Sequence, residues 1–306
     1  MKFANMKFIS MAVMAAALFS QHAVAETVDL GVASNYNVFV FDSYKSSGWS
    51  SIGGALAVGG NADISTSGIG NSANNPYGLV VGGNLTKSYG GVNGTTWVGG
   101  TTTKPQWDYY NNYSSSAAPI DFAAAKTSLS ALSDNLAGTA ATGTVSYSYG
   151  NTGNLTGTGS SVEYFSVDGS DLSNISNWSF ANVLANATLI INVSGTNISL
   201  SGGWSGFSSY NVLFNFYDAT TVNLSNISFA ASILATDAAI TGSGGSFSGT
   251  VVANSWNNSL SVSNRAFSSF EMATPAVSAV PEPKPLMLLL MGMVMIVGFR
   301  LFKDRL

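Results

Sequence analysis

The chain is predicted to fold mainly as β-structure, a solenoid of stacked short strands with one helix alongside. Three observations carry this reading. Short apolar runs end in Val-Gly-Gly elements that start at Val58, Val81 and Val98. A second set of runs, at residues 189–193, 212–216, 232–235 and 250–253, recurs at about 20-residue intervals, the period of a solenoid rung. Between the two sets lies a single segment with helical periodicity.

The first 25 residues have the layout of a secretory signal peptide. Lys2 and Lys7 precede an apolar stretch from Phe8 to Phe19, and Ala23 and Ala25 form a small-residue cleavage site before Glu26. A buried N-terminal helix is the alternative, and it has no use for the Ala-x-Ala site.

Residues 26–275 form the working domain. Gly, Ser, Thr and Asn dominate it and charge is sparse, a composition that permits disorder. The recurrence of Val, Ile, Tyr, Phe and Trp in short runs argues instead for strands. One rung cannot bury its apolar side chains, whereas rungs stacked about 4.8 Å apart share one core and pair every backbone group. Glycine is expected at the corners because it takes positive φ freely. A two-sheet antiparallel sandwich would also give many short strands. The unequal spacing of the first set, 23 then 17 residues, requires corner loops of different length.

The helix is placed at about residues 120–137. Phe122, Ala125, Leu129, Leu132 and Leu136 fall on one face, Asp121 suits the first turn, and Gly138 suits the stop. A single apolar stripe fits packing along the side of a β-structure, and a partner-binding helix is the alternative.

The last 31 residues read as a targeting tail. Pro281, Glu282 and Pro283 precede an apolar segment at 285–302, and Arg300, Lys303 and Arg305 close the chain. Crossing a bilayer takes about 20 helical residues, so the segment is a short span, and its basic end is expected to stay cytoplasmic. An ordinary C-terminal anchor is the plain alternative.

Removing both ends takes six of the 11 Lys and Arg but two of the 15 Asp and Glu, which moves the net charge from −4 to −8. Five scattered cations cannot neutralise a run of phosphates, so nucleic acid and anionic lipid surfaces are disfavoured partners. The sole histidine, His22, lies in the signal peptide, and the chain has no cysteine. That excludes Ser-His-Asp and Cys-His catalysis, the usual zinc sites, haem and iron–sulfur ligation, and disulfides. No catalytic residue, metal or cofactor is expected.

Carboxylates are the chemistry that remains. Asp168-Gly-Ser-Asp171 with Glu163 nearby could serve a polysaccharide-acting enzyme or hold calcium weakly, but the same tetrapeptide is an ordinary turn. The Val-Gly-Gly elements lack the Gly-Lys-Ser/Thr ending of a phosphate loop. Trp49, Trp97, Trp107, Tyr109, Tyr110, Tyr113, Trp178, Trp204, Tyr210 and Trp256 sit in polar surroundings, where ring faces beside hydroxyls and amides suit sugars. Trp107, Tyr109 and Tyr110, just before the helix, are the expected exposed binding cluster.

Two resemblances add to this reading. The order of Pro-Glu-Pro, apolar run and basic end resembles the PEP-CTERM sorting signal of Gram-negative bacteria. It implies transient insertion in the inner membrane, recognition and cleavage by an exosortase-type protease, and transfer to the cell surface or extracellular matrix. The stretches Leu30 to Val40, Gly53 to Asn61, Pro119 to Phe122, Val212 to Val222, Ser232 to Ala235 and Gly249 to Ala253 together resemble the choice-of-anchor A domain, an adhesive module of bacterial surface proteins. That resemblance implies a right-handed parallel β-helix with an accompanying helix and a non-enzymatic role in attachment to polysaccharide or matrix. It transfers no ligand residues, and Thr236 stands where the family pattern has Pro. A carboxylate-dependent enzyme and an ice- or lattice-binding solenoid are the alternative functions.

Overall fold

The computed structural model describes residues 27–271 apart from 47, 66, 73–74, 109–111, 149–150 and 205. The segments expected to be a signal peptide and a targeting tail lie outside the described residues. Two compact units are present. In the smaller, Thr27–Val28 pairs antiparallel with Phe270–Glu271. The larger, Asp29–Ser269, is the β-helix.

Among the described residues of this unit, twenty strands form one hydrogen-bonded system, and their pairings are all parallel. That excludes the antiparallel sandwich. The rungs have three faces. On the first, Leu56–Val58, Tyr77–Val81 and Thr95–Val98 stack with Val58, Val81 and Val98 in register. The second set stacks likewise, with Ile191, Phe214, Ile233 and Val251 forming one row.

The order of stacking does not follow the sequence. Val38–Val40 pairs with Leu56–Val58 on one side and with Val251–Ala253 on the other, so the two sets join at the middle of the solenoid. Asn37 seals this seam, its Nδ2 donating to the Gly249 carbonyl 212 residues away at 2.6 Å, while its Oδ1 accepts from Gly54 N.

The helix Phe122–Gly138 carries the chain back along the stack. Seventeen residues span about 25 Å, close to five rungs. Its contacts descend in that order. Phe122 packs on Phe39 with ring centroids 5.2 Å apart, and Lys126 Nζ donates to Asn254 Oδ1. Ser133 Oγ then donates to Asn215 Oδ1 at 2.6 Å, and Leu136 O accepts from Asn192 Nδ2 at 2.6 Å. Asp121 acts as the N-cap, accepting from Ala124 N at 2.9 Å. Ala125, Leu129, Leu132 and Leu136 are buried, and Phe122 is half-buried. Among the described residues no helix is long and apolar enough to cross a membrane.

Two apolar layers follow from this arrangement. Val38, Val40, Ile191, Phe214, Ile233 and Val251 point into the solenoid core. Their neighbours Phe39, Ile190, Leu213, Leu234 and Val252 are also buried, but lie outside that core, on the side the helix covers. Burial on both sides explains why these strands read as unbroken apolar runs. The helix is held there by buried amides as well. Asn215 Nδ2 donates to Ser133 O and to Asn192 Oδ1, both at 2.9 Å. Asn215→Ala strands Ser133 and Asn192 without these partners. We expect a loss of about 2–3 kcal/mol, seen as a lower urea midpoint at unchanged m.

The Val-Gly-Gly glycines serve a different purpose from the one expected. Gly59, Gly82 and Gly99 do not have positive φ. Instead, a Cβ on each would collide with a carbonyl of the adjoining rung: Phe41 O, Gly59 O and Gly82 O respectively. The corner needs the absence of a side chain, because rungs approach most closely there. The next position supplies the cross-rung bonds, with Asn84 N donating to Asn61 Oδ1 and Thr101 N to Asn84 Oδ1, both at 2.8 Å.

Candidate adhesive face and solenoid end

Among the described residues, one face of the β-helix has strands that carry no charge. Its strands include Ser51–Ile52, Gly68–Ile69, Gly245–Ser248, Ser261–Ser263 and the second halves of Asn197–Trp204 and Thr221–Ala230. Parallel register aligns Trp204, Phe229, Phe247 and Val262 as inward, buried rows. The alternate residues face out. Gly203, Ser228, Ser246 and Ser261 form one row, and Ala230, Ser248 and Ser263 form a second. Period-two alternation sets the rows about 6.6 Å apart, and rung stacking sets the hydroxyls about 4.8 Å apart within each. A depression of ≈ 330 Å³ opens on this face, bordered by Gly203, Ser208, Ser228, Ser246, Ser248 and Ser263.

At one end of the stack, Lys87 occupies an inward position in register with Ile64. Its Nζ is 2.7 Å from Asp108 Oδ1, and both side chains are buried. Tyr113 Oη donates to Asp108 Oδ2 at 2.9 Å, and Lys104 Nζ lies 4.3 Å over the Tyr113 ring. Burial alone would raise the Asp108 pKa. The hydrogen bonds from Lys87 and Tyr113 and the charges of Lys87 and Lys104 outweigh it and hold the carboxyl below its ordinary range.

Beside this ion pair, Trp107 is 48% exposed and stacks on Tyr89, itself 59% exposed, with centroids 5.7 Å apart and planes at 29°. Of the expected cluster, the structure describes Trp107 alone. Trp107 is at the surface, whereas Asp108 next to it closes the core. Tyr109 and Tyr110 lie outside the described residues. Trp178, Trp204 and Trp256 are core residues, Trp97 Nε1 donates to Ser116 O, and Trp49 stands alone at 88% exposure. Tyr89 was missed. Its signal is a large aromatic at a corner, before the positive-φ Gly90.

The carboxylates have structural partners. Asp168 caps the short helix Gly169–Leu172, with Oδ1 accepting from Ser170 N at 2.9 Å. Asp171 bonds the Tyr147 hydroxyl, whose pKa is raised by burial and by that carboxylate. Glu163 is buried and accepts from Thr158 N, Thr158 Oγ1, Ser160 N and Thr142 Oγ1 at 2.6–3.0 Å. Burial would raise its pKa, but these bonds hold it below its ordinary value. A carboxylate so fully engaged closes a loop. Among the described residues no group of three or more His, Cys, Asp or Glu could hold a metal ion.

Residues 29–264 match the family described as "Putative Ice-binding-like adhesive domain". The chain belongs to this ice-binding-like adhesive family. No curated protein matches the sequence. Among solved structures, a glycosylated ice-binding protein from an Arctic yeast is similar at 15% identity and a TM-score of 0.35, covering 84% of this chain and 99% of that one. A second solved structure, of an ice-binding protein with antifreeze activity from Arctic yeast, has 17% identity and a TM-score of 0.29, covering 82% and 97%.

The residues expected from the sequence to direct processing fall outside the described residues: Ala23 and Ala25 of the expected signal-peptide site, Pro281, Glu282 and Pro283 of the expected sorting motif, and Arg300, Lys303 and Arg305.

Proposed function

We propose that the chain is an exported, non-enzymatic adhesive module that attaches to extracellular polysaccharide through its charge-free hydroxyl face. The observation that carries this reading is the double row of Ser228, Ser246 and Ser261 beside Ser248 and Ser263. A glycan presents hydroxyls at regular intervals. A rigid row of hydroxyls meets them with little ordering of side chains, and no strand of the face carries a charge to be desolvated. Tyr89 and Trp107 add two exposed ring faces for sugar stacking at the solenoid end.

The export route rests on the sequence. The N-terminal segment delivers the chain to the secretion pathway. The PEP-CTERM-like tail and the choice-of-anchor A resemblance support transient inner-membrane insertion and exosortase-type cleavage. The product then resides on the cell surface or in the matrix of a Gram-negative bacterium. Mass spectrometry of the mature C-terminus should find a product ending near Pro281, and an intact Leu306 would contradict cleavage.

Ice or another ordered lattice is the second reading, favoured by the same regular repetition and by the family description. Retention on the producing cell's exopolysaccharide and inhibition of ice recrystallisation, measured on one preparation of the full chain, separate the two. We expect retention without an effect on ice. Ice activity without retention would put the second reading in place of the first. Trp107→Ala should weaken glycan retention about 3–10-fold and leave the unfolding temperature within about 2 °C.

A further inference from the structure

We infer that the depression on the hydroxyl face is a subsite for a carboxylated sugar, with Arg265 as its cationic contact. This rests on the adhesive reading above and narrows its ligand from glycan in general to glycan containing uronate units. The depression, ≈ 330 Å³, falls at the small end of the roughly 300–1,000 Å³ typical of small-ligand sites. Its border offers the hydroxyl side chains of Ser208, Ser228, Ser246, Ser248 and Ser263. Space around Gly203 is open, since a Cβ there would meet nothing within 4 Å.

Arg265 stands beside the depression, lining the small neighbouring one that shares Ser248 with it. Its Nη2 donates to Ser208 O at 2.9 Å and Tyr210 O at 2.7 Å, and its Nη1 to Ala230 O at 3.4 Å. Ser208 and Ala230 both line the depression. Three carbonyls fix the guanidinium without neutralising it. Among the described residues the ion pairs are Lys87–Asp108 and Lys126–Asp237, and Arg265 enters neither. A guanidinium has about five N–H donors, and these bonds use three of them. Arg265 is thus a fixed, half-buried cation beside a face whose strands carry no charge. A carboxylate is the substituent that would gain from it, while the sugar hydroxyls meet the serines. Repulsion from the acidic groups elsewhere is screened beyond about 8 Å at physiological salt.

The test compares the full chain on polygalacturonate and on the same polymer with its carboxyls reduced to hydroxymethyl groups. Retention should be about 10-fold tighter on the carboxylated polymer at low salt. The preference should vanish as NaCl rises from about 0.02 to about 0.5 M. Arg265→Gln, checked by its unfolding temperature, should bind both polymers equally at low salt. A folded Arg265→Gln that keeps the preference overturns the subsite, and if that variant does not fold, the wild-type salt series decides. Equal wild-type binding to both polymers overturns the subsite and leaves the adhesive reading standing. Binding to neither removes both.

Discussion

Asp108→Ala should destabilise the β-helix by about 3–5 kcal/mol, the loss expected when a buried ion pair is broken from one side. Lys87 is the reason. Its ammonium lies at the end of the core, 2.7 Å from the carboxylate, and both side chains are almost fully excluded from water. Removing Asp108 also strips the Tyr113 hydroxyl of its acceptor. The double variant Lys87→Met with Asp108→Ala should recover most of the loss, because a methionine side chain in place of Lys87 would continue the apolar row that Ile64 begins. Equal destabilisation in the single and double variants would show that the charge on Lys87 is not the cause. The pH dependence has a definite sign. Asp108 and Glu163 both have folded-state pKa values below their unfolded ones. Their contribution is therefore complete above about pH 4–5 and is lost as the pH falls through the lowered values. Asp108→Asn should flatten that acid limb, measured as unfolding free energy against pH.

Gly82→Ala should have an effect of about 3 kcal/mol from a single methyl group. The added Cβ would overlap the carbonyl of Gly59, a backbone atom that cannot rotate away. Gly82 N also donates to Val58 O at 2.7 Å, so widening the corner would break the rung pairing it protects. Gly138→Ala is the control, since the same methyl there meets nothing within 4 Å. Calorimetry should show a large drop in unfolding temperature for Gly82→Ala and little change for Gly138→Ala. Similar temperatures for the two would contradict the corner-stacking account.

Much of the stack was legible in the residues. Val58, Val81 and Val98 were aligned by their shared Val-Gly-Gly and proved to be in register. The helical stripe of Ala125, Leu129, Leu132 and Leu136 is the buried face. The insertion of Val38–Val40 against Val251–Ala253 was not legible, because any rung edge offers the same backbone groups to any other. Such a pairing leaves no local signature. The role of Asp108 was hidden for a related reason. Its partner Lys87 lies in another rung, and only the register of Leu85-Thr86-Lys87 on Ala62-Asp63-Ile64 reveals a lysine pointing inward. The hydroxyl face does carry a sign in the sequence. Ser-Phe-Ser at 246–248 and Ser-Val-Ser at 261–263 alternate with period two. Polar sequence surroundings do not mark an aromatic as exposed, since three of the six tryptophans are core.

The proposed attachment is made by the charge-free strands of the hydroxyl face. Ser228 and Ser246 are register partners on adjacent rungs. Replacing them with Ser228→Glu and Ser246→Lys puts bulk on the face while pairing opposite charges across the strands, so net charge and stability should hold. The deciding measurement is co-sedimentation of this variant and the wild-type chain with the producing cell's exopolysaccharide, alongside their unfolding temperatures. Retention should be at least about 10-fold weaker, with an unfolding temperature within a few degrees of wild type. A folded variant that is retained as well as the wild type would contradict the proposed attachment.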